Sequence, residues 1–399
     1  MSNENIVLSK DMWEKVDTSL LQSDVIARPS MTYWQDAWRR LKQNKLSMIG
    51  LITVIILTSL AVFGPMLSAF EYSDQDLSMS GLPPRFDYYQ VGDKQIYLHK
   101  EYRLYEVENG EFIQALPKTK EDMMKRQRVY DVDGTPVVVD YSFAAKARKS
   151  GDPNAKKFEL RVGEEVLQPV GKSFNKTFWF GTDALGRDLY VRVLFGARIS
   201  LTVALVATVV QFFIGVLYGG VSGYLGGRAD NIMMRIVDII ATIPLLLYVI
   251  LLMVVFGSGL KTIIIAIGSV YWVRMARLVR GQVLSIKEQE YVMAAQTLGA
   301  STWRIMVRHL IPNAMGPIIV SLAMTIPNAI FTESFLSFIG LGVSAPMASW
   351  GTLASDALGG LRTYAYQLFY PSLFISLTVL AFNFLGDGLR DALDPRLRK

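Results

Sequence analysis

The chain of 399 residues has no cysteine and only two histidines, His99 and His309. The first absence excludes disulfides, thiol catalysis and cysteine-based metal sites. The second, with the two rings far apart in sequence, argues against a histidine-rich metal centre. Charge is scarce too. Only 19% of residues are Asp, Glu, Lys or Arg, against 51% hydrophobic, where soluble domains average about 25% charged. Mean hydropathy is +0.29. That balance is the one expected of a membrane protein with sizeable polar parts. The net charge of +6 is read as a positive cytoplasmic face, so nucleic acid is not expected as a partner. The first apolar run begins near Ser47, after a long polar leader, and a cleaved signal peptide is therefore not expected.

Crossing a bilayer takes about 20 apolar residues. Six stretches qualify, near 47–70, 200–222, 232–256, 262–280, 313–338 and 369–388. Lys and Arg concentrate on alternate flanks: Arg39, Arg40, Lys42 and Lys45 before the first span, Arg228 and Arg235 after the second, and Arg280, Lys287, Arg304 and Arg308 after the fourth. Arg390, Arg396, Arg398 and Lys399 follow the sixth, while the short opposite connections offer only Lys261 and Arg362. The positive-inside rule then puts both termini in the cytoplasm, in contact with the lipid bilayer through six spans.

Residues 71–180 must in turn lie outside. They carry strand-like runs, "KQIYLHKEYRLYEV", "VYDVDGTPVVVDYSF" and "KFELRVGEEVLQPV", punctuated by Asn109-Gly110, Asp133-Gly134 and Gly151-Asp152-Pro153. Alternation of aromatic and β-branched residues with charges favours a small β-rich domain over a disordered insert. Its expected role is docking or scaffolding. Residues 181–199 follow, with Thr182 or Asp183 as cap and Leu185, Leu189, Val193 and Leu194 on one face. They are expected to form an amphipathic helix along the outer membrane surface, or a soluble helix packed on the external domain.

Gly171-Lys172-Ser173 looks like the end of a phosphate-binding loop. That motif needs a glycine five positions earlier, where this chain has Val166. Nucleotide binding by this chain is not expected. The intramembrane polar candidates are Arg235, Asp238, Glu333 and Asn383. Arg235 and Asp238 share a helix face and suggest an intrahelical or bundle-facing ion pair. Glu333 either lines a polar pathway or accepts hydrogen bonds from a neighbouring helix. Asp387 and Arg390 are read as structural.

Between the fourth and fifth spans runs "EYVMAAQTLGASTWRIMVRHLIPN", Glu290 to Asn313. It holds no metal-ligand spacing and no nucleophile beside a base. The stretch to Leu298 is helix-compatible, with Ala294 and Ala295 small enough for another surface to approach closely. Gly299 suits a left-handed cap, Ser301 or Thr302 can start a second, basic helix, and Pro312 suits the first turn of the next span. The expectation is a cytoplasmic helix–turn–helix joined rigidly to two spans, able to pass force to them.

This frame resembles the signature of inner-membrane permease subunits of ABC importers, Glu-Ala-Ala, three residues, Gly, nine residues, Ile-x-Leu-Pro. Here Met293, Ala294, Ala295, Gly299, His309, Ile311 and Pro312 keep every spacing, with Met293 replacing Glu and His309 and Ile311 standing for Ile and Leu. "GTDALGRDLYVRVLFGARISL", "ESFLSFIGLGVSAPMASWG" and "NFLGDGLRDALDPRLR" are similar to the second, C-type permease of the dipeptide/oligopeptide/nickel group. The segment 71–177 departs from the usual short external form and resembles longer oligopeptide-system permeases. The resemblance implies an all-α polytopic membrane protein of six transmembrane helices, the type I ABC importer permease fold, with an inserted small β-rich extracellular domain. It also implies a bacterial cytoplasmic membrane, a homologous second permease, two ATP-binding subunits that hold ATP and Mg, and an extracellular solute-binding protein delivering oligopeptides. No cofactor is expected in this chain. The implied coupling residues, within 287–312, are Glu290, Met293, Ala294, Ala295, Gly299, Ala300, Arg304, His309 and Pro312. Dipeptides, nickel or glutathione remain alternative cargoes. Readings outside the family are an ion-driven secondary transporter, which would need polar midplane groups in two related halves, and an anchored receptor.

Overall fold

The computed structural model describes residues 32–150 and 156–394. Helix α1 (Tyr33–Gln43) lies against the far end of the chain, where the Tyr33 hydroxyl donates to the Leu393 carbonyl at 3.1 Å. One residue later the first span, α2 (Lys45–Leu67), begins. Ten strands and the short helix α3 (Phe143–Ser150) follow before the chain returns to the membrane. The helical part continues with α4 (Leu189–Leu225), α5 (Gly227–Thr242), α6 (Leu245–Phe256), α7 (Leu260–Ile286), α8 (Glu290–Thr297), α9 (Thr302–Leu341), α10 (Trp350–Ala357) and α11 (Tyr366–Leu393).

Five of the six expected spans are α2, α4, α7, α9 and α11, each long and apolar enough to cross a bilayer. The stretch expected at 232–256 is not one straight helix. It is the pair α5 and α6, bent by 84°. Ile243 is extended (φ −74°, ψ 119°) because the ring of Pro244 disfavours helical backbone at the preceding residue.

The spans share a core of Ala61, Val193, Ala204, Ile263, Ile267, Ile330, Trp350 and Phe382, drawn from α2, α4, α7, α9, α10 and α11. Close approach of α4 to α7 rests on Gly215, Gly219 and Gly223, one turn apart. A Cβ on Gly219 would sit 2.3 Å from the Ala276 carbonyl oxygen, and one on Gly223 2.9 Å from that of Arg280.

The insert holds two antiparallel sheets. In the first, β10 (Gly171–Phe174), β1 (Arg85–Val91), β2 (Lys94–Leu98), β3 (Leu104–Glu108) and β4 (Glu111–Ala115) lie side by side. The second runs β5 (Lys118–Asp122), β6 (Gln127–Val132), β7 (Thr135–Asp140), β8 (Glu159–Val162) and β9 (Glu165–Val166). Asn109-Gly110 and Asp133-Gly134 make the β3–β4 and β6–β7 hairpin turns, all four with positive φ as a type I′ turn requires. The expected turn at Gly151-Asp152-Pro153 lies outside the described residues. Period-2 alternation splits the first sheet. Ile96, Leu98 and Leu104 face Val137, Val139 and Leu160 of the second sheet, while Tyr97, Tyr105 and Phe86 face Leu82 and Phe178. The triplet Gly171-Lys172-Ser173 is strand β10, paired with Tyr88 to Phe86.

Residues 181–199 do not form a surface helix. Residues 181–188 are a turn, the cap is Asp188, and the helix from Leu189 runs straight on into the span. Leu189, Val193 and Leu194 are at most 1% exposed. Their apolar stripe packs on protein rather than lipid, beside Trp350, whose indole donates to the Val193 carbonyl at 2.9 Å. Thr182 ties the insert to the spans. Its hydroxyl donates to the Met79 carbonyl (2.6 Å) and accepts from the Leu82 amide (2.8 Å), while its carbonyl accepts from Tyr366 and Gln367 (both 2.9 Å).

Candidate functional site

Helix α8 follows α7 after a short turn, and Gly299 at φ +78° breaks it, as the left-handed cap required. Ser301 then caps α9, its hydroxyl accepting from the Arg304 amide at 3.4 Å. The second half of the element is not a separate helix ending at Pro312. It runs on from Thr302 into the fifth span and stays helical as far as Ile339, where Gly340 at φ +89° kinks the chain. A wide π turn at Met306–Leu310 opens the ladder just before the proline, which lacks an N–H and whose ring crowds the carbonyl four residues back.

Burial sorts the expected coupling residues into two sets. Val292 is fully buried among Val279 and Val283 of α7 and Ile305, Met306 and Leu310 of α9, with Ala295 and Ala300 packed against that cluster. Ala295 therefore belongs to the chain's own packing and not to a free face. Glu290, Ala294, Gly299, Arg304 and Pro312 are exposed, and Met293 is 49% exposed. His309 is half-buried, its ring 6.3 Å from that of Tyr291. Tyr291, Leu298, Trp303 and Val307, which sequence reasoning left out, join Met293 as large apolar side chains open to solvent; Leu298 is 87% exposed.

Beneath this element lies a clamp that was not expected. Buried Asp230, in the first turn of α5, accepts Arg280 Nε and Nη2 of α7, both at 2.6 Å, and the Ser222 hydroxyl of α4 at 2.5 Å. Lys287 adds a bond to the Gly223 carbonyl at 3.1 Å. Three helices are thus pinned where the coupling element begins. The fork-on-carboxylate geometry is the strong form of ion pair.

The intramembrane candidates separate. Asp238 pairs with Arg277 of α7 at 2.8 Å and not with Arg235, which is exposed. Glu333 is fully buried; its two oxygens accept the hydroxyls of Ser200 and Ser337, each at 2.7 Å. It joins α4 to α9, the second of the two roles open to it. Asn383 is half-buried on α11. No group of three or more His, Cys, Asp or Glu suited to a metal occurs among the described residues.

Comparison with known proteins gives two family matches. Residues 193–399 match the binding-protein-dependent transport system inner membrane component, and residues 32–84 the N-terminal TM domain of oligopeptide transport permease C. The oligopeptide transport system permease protein OppC of Bacillus subtilis is 40% identical over 392 residues, 98% of this chain and 99% of that one. The dipeptide transport system permease protein DppC of the same organism is 43% identical over 379 residues, 95% and 90%. OppC of Escherichia coli is 34% identical over 393 residues, 98% and 100%.

Proposed function

Because the chain belongs to the family of binding-protein-dependent transport system inner membrane components, a group of multi-pass membrane permeases of ABC importers, we propose that it is the translocating subunit of an ATP-driven peptide importer. It works beside a homologous permease, above two ATP-binding subunits that carry the ATP and Mg, and below an extracellular solute-binding protein. Both termini lie in the cytoplasm. The names of its relatives support oligopeptides or dipeptides as cargo. The insert, fixed to the spans through Thr182, is a scaffold for the solute-binding protein.

The observation that carries this reading is the exposed face of α8 set on a rigid base. Tyr291, Met293, Ala294 and Leu298 face solvent, and Val292 locks the same helix to α7 and α9. A partner that closes on α8 therefore pushes on the cytoplasmic end of α9, the helix that continues into the fifth span. The test is co-purification of the ATP-binding subunits on a tagged chain, with peptide uptake in vesicles. Ala294→Trp should detach those subunits and stop uptake while the chain stays folded. Retained ATPase and wild-type uptake in that variant would remove α8 as the docking face.

A further inference from the structure

Most of the outward surface of the spans is hydrocarbon. Ile49, Ile52, Ile55 and Ile56 on α2 and Leu251, Val254 and Val255 on α6 are exposed, as lipid requires. One strip differs. Arg274 lies within the expected span 262–280, about 9 Å from its cytoplasmic end at 1.5 Å per residue, and is exposed. It makes no hydrogen bond or ion pair among the described residues. One turn away, the Tyr271 hydroxyl meets Thr332 Oγ1 at 2.8 Å and the Asn328 carbonyl at 3.4 Å. Asn328 is exposed on α9, and its amide donates to the Met324 carbonyl at 2.7 Å. The strip continues into a groove of about 540 Å³, between α7, α9 and the end of α11, lined by Arg274, Pro317, Ser321, Met324, Arg390 and Asp394 among others.

An unpaired arginine inside the span is costly in hydrocarbon, and the groove it lines runs to Arg390 and Asp394 at the cytoplasmic end of α11. The strip therefore meets water. Arg274 and Arg390 share one groove with the single carboxylate Asp394, which leaves an excess of one positive charge among walls that are otherwise largely apolar; that suits a peptide with a charged end and apolar side chains. Arginine's fork matches a carboxylate with two parallel bonds.

We propose that Tyr271, Arg274, Ser321, Asn328 and Thr332 line the aqueous path through this subunit, and that Arg274 holds the free carboxylate of the peptide in transit. The inference rests on the peptide-importer reading, and its first arm stands apart from cargo. The chain has no cysteine, so Asn328→Cys and Ser321→Cys in the assembled transporter report water directly. Both should react with a water-soluble thiol reagent at least tenfold faster than Ile52→Cys and Leu251→Cys. Equal rates would overturn the path, whether or not peptide is carried.

The second arm compares a peptide with its C-terminal amide, each delivered at saturating binding protein so that the binding protein's own preference drops out. Turnover should favour the free acid in the wild type. Arg274→Gln should bring the ratio close to one, and Arg274→Lys should keep part of it. A loss of about tenfold corresponds to about 1.4 kcal/mol. Equal loss for both peptides would make Arg274 a structural residue and overturn its role. Turnover that followed the anionic lipid content of the vesicle, with no acid preference, would assign the arginines to lipid phosphate and overturn it too. Reactive Asn328→Cys in a transporter that carries no peptide would retire the cargo and leave the water path.

Discussion

The outer insert and the inner coupling element are both appendages of the same helical core, and they are anchored to it in different ways. The first sheet of the insert buries both faces, one on the second sheet and one on Leu82 and Phe178. Hydrogen bonds through Thr182 to Met79, Tyr366 and Gln367 then fix it to the rest of the chain. The inner element buries only the side that holds it in place. It leaves Tyr291, Met293, Leu298, Trp303 and Val307 open over a span of seventeen residues, Tyr291 to Val307. Five exposed large apolar side chains within so short a stretch are what an interaction site requires. The insert also leaves Met123, Met124, Phe174 and Trp179 exposed, so the two appendages differ in how they are anchored and not in whether apolar surface stays open.

That contrast can be broken most severely at α8. Ala294→Trp places a large ring on the exposed face and should cost at least about 2 kcal/mol of ATPase-subunit binding, roughly thirtyfold in affinity. Gly299→Val forces a β-branched residue into the left-handed region and should strain the turn by roughly 1–2 kcal/mol. Both should abolish peptide uptake, measured in vesicles, and leave hydrogen exchange in the insert unchanged. Ala295→Trp is a different experiment. It crowds the cluster around Val292 and should lower the thermal midpoint of the chain itself.

The next effect lies at the clamp. Arg280→Met would leave the buried Asp230 carboxylate with only Ser222. Arg280 is one-third exposed, so the cost is smaller than the ~3–5 kcal/mol of a fully buried pair. The thermal midpoint in detergent should fall, and Asp230→Asn in the same chain should recover part of the loss. If Arg280→Met left the midpoint unchanged, the pair would not hold the base of the element.

A smaller effect is expected on the outside. Thr182→Val keeps the shape but strands the Leu82 amide and frees the Met79 carbonyl, a cost of about 1–3 kcal/mol for each buried group. Hydrogen exchange should rise in residues 79–105, while the ATP-binding subunits still co-purify. Loss of those subunits would show that the two appendages are not independent.

Much of this was legible in order and little of it in pairing. Span lengths, the two Asn-Gly and Asp-Gly hairpins and the glycine cap at 299 are local signals, and each sits where local chemistry puts it. Pro244 was a readable signal for the break between α5 and α6, but the apolar run on both sides masked it. The stripe Leu189, Val193, Leu194 has the period of a surface helix. Only the position of Trp350, more than 150 residues on, shows that protein covers it. Asp238 had a charge three residues away and chose Arg277, and Asp230 chose Arg280. Helix-to-helix partners of this sort carry no sequence spacing. The Gly215, Gly219, Gly223 repeat was the one sequence signal that α4 and α7 pack closely enough to bring such groups together.

The smallest effect sharpens the comparison through pH. His99 is fully buried where the insert meets the loop before α11. Its Nε2 bonds the Gly81 carbonyl at 3.1 Å, and Nδ1 accepts the Glu101 amide at 3.2 Å. This places the proton on Nε2 of a neutral ring. Tyr364 stacks on it at 5.9 Å, and Lys100, which bonds the Thr363 carbonyl, Glu101 and Arg103 are the neighbouring charges. Burial holds the His99 pKa below the ordinary histidine value, outweighing the Gly81 bond and Glu101. The unfolded or opened ring therefore binds a proton more readily than the packed one. The packed state is fully favoured above about pH 6.5, the ordinary value, and loses stability as pH falls below it. Protonation would also cost the Glu101 bond, because Nδ1 could no longer accept. Protection factors at residues 96–105, which cancel the intrinsic pH dependence of amide exchange, should fall by a few-fold between pH 7.5 and pH 5, while those of α8 and the Val292 cluster stay as they were. His99→Phe should remove the pH step even if it shifts the baseline. A step that persisted in His99→Phe would assign the titration to another group, and a step at α8 would tie the outer joint to the inner one.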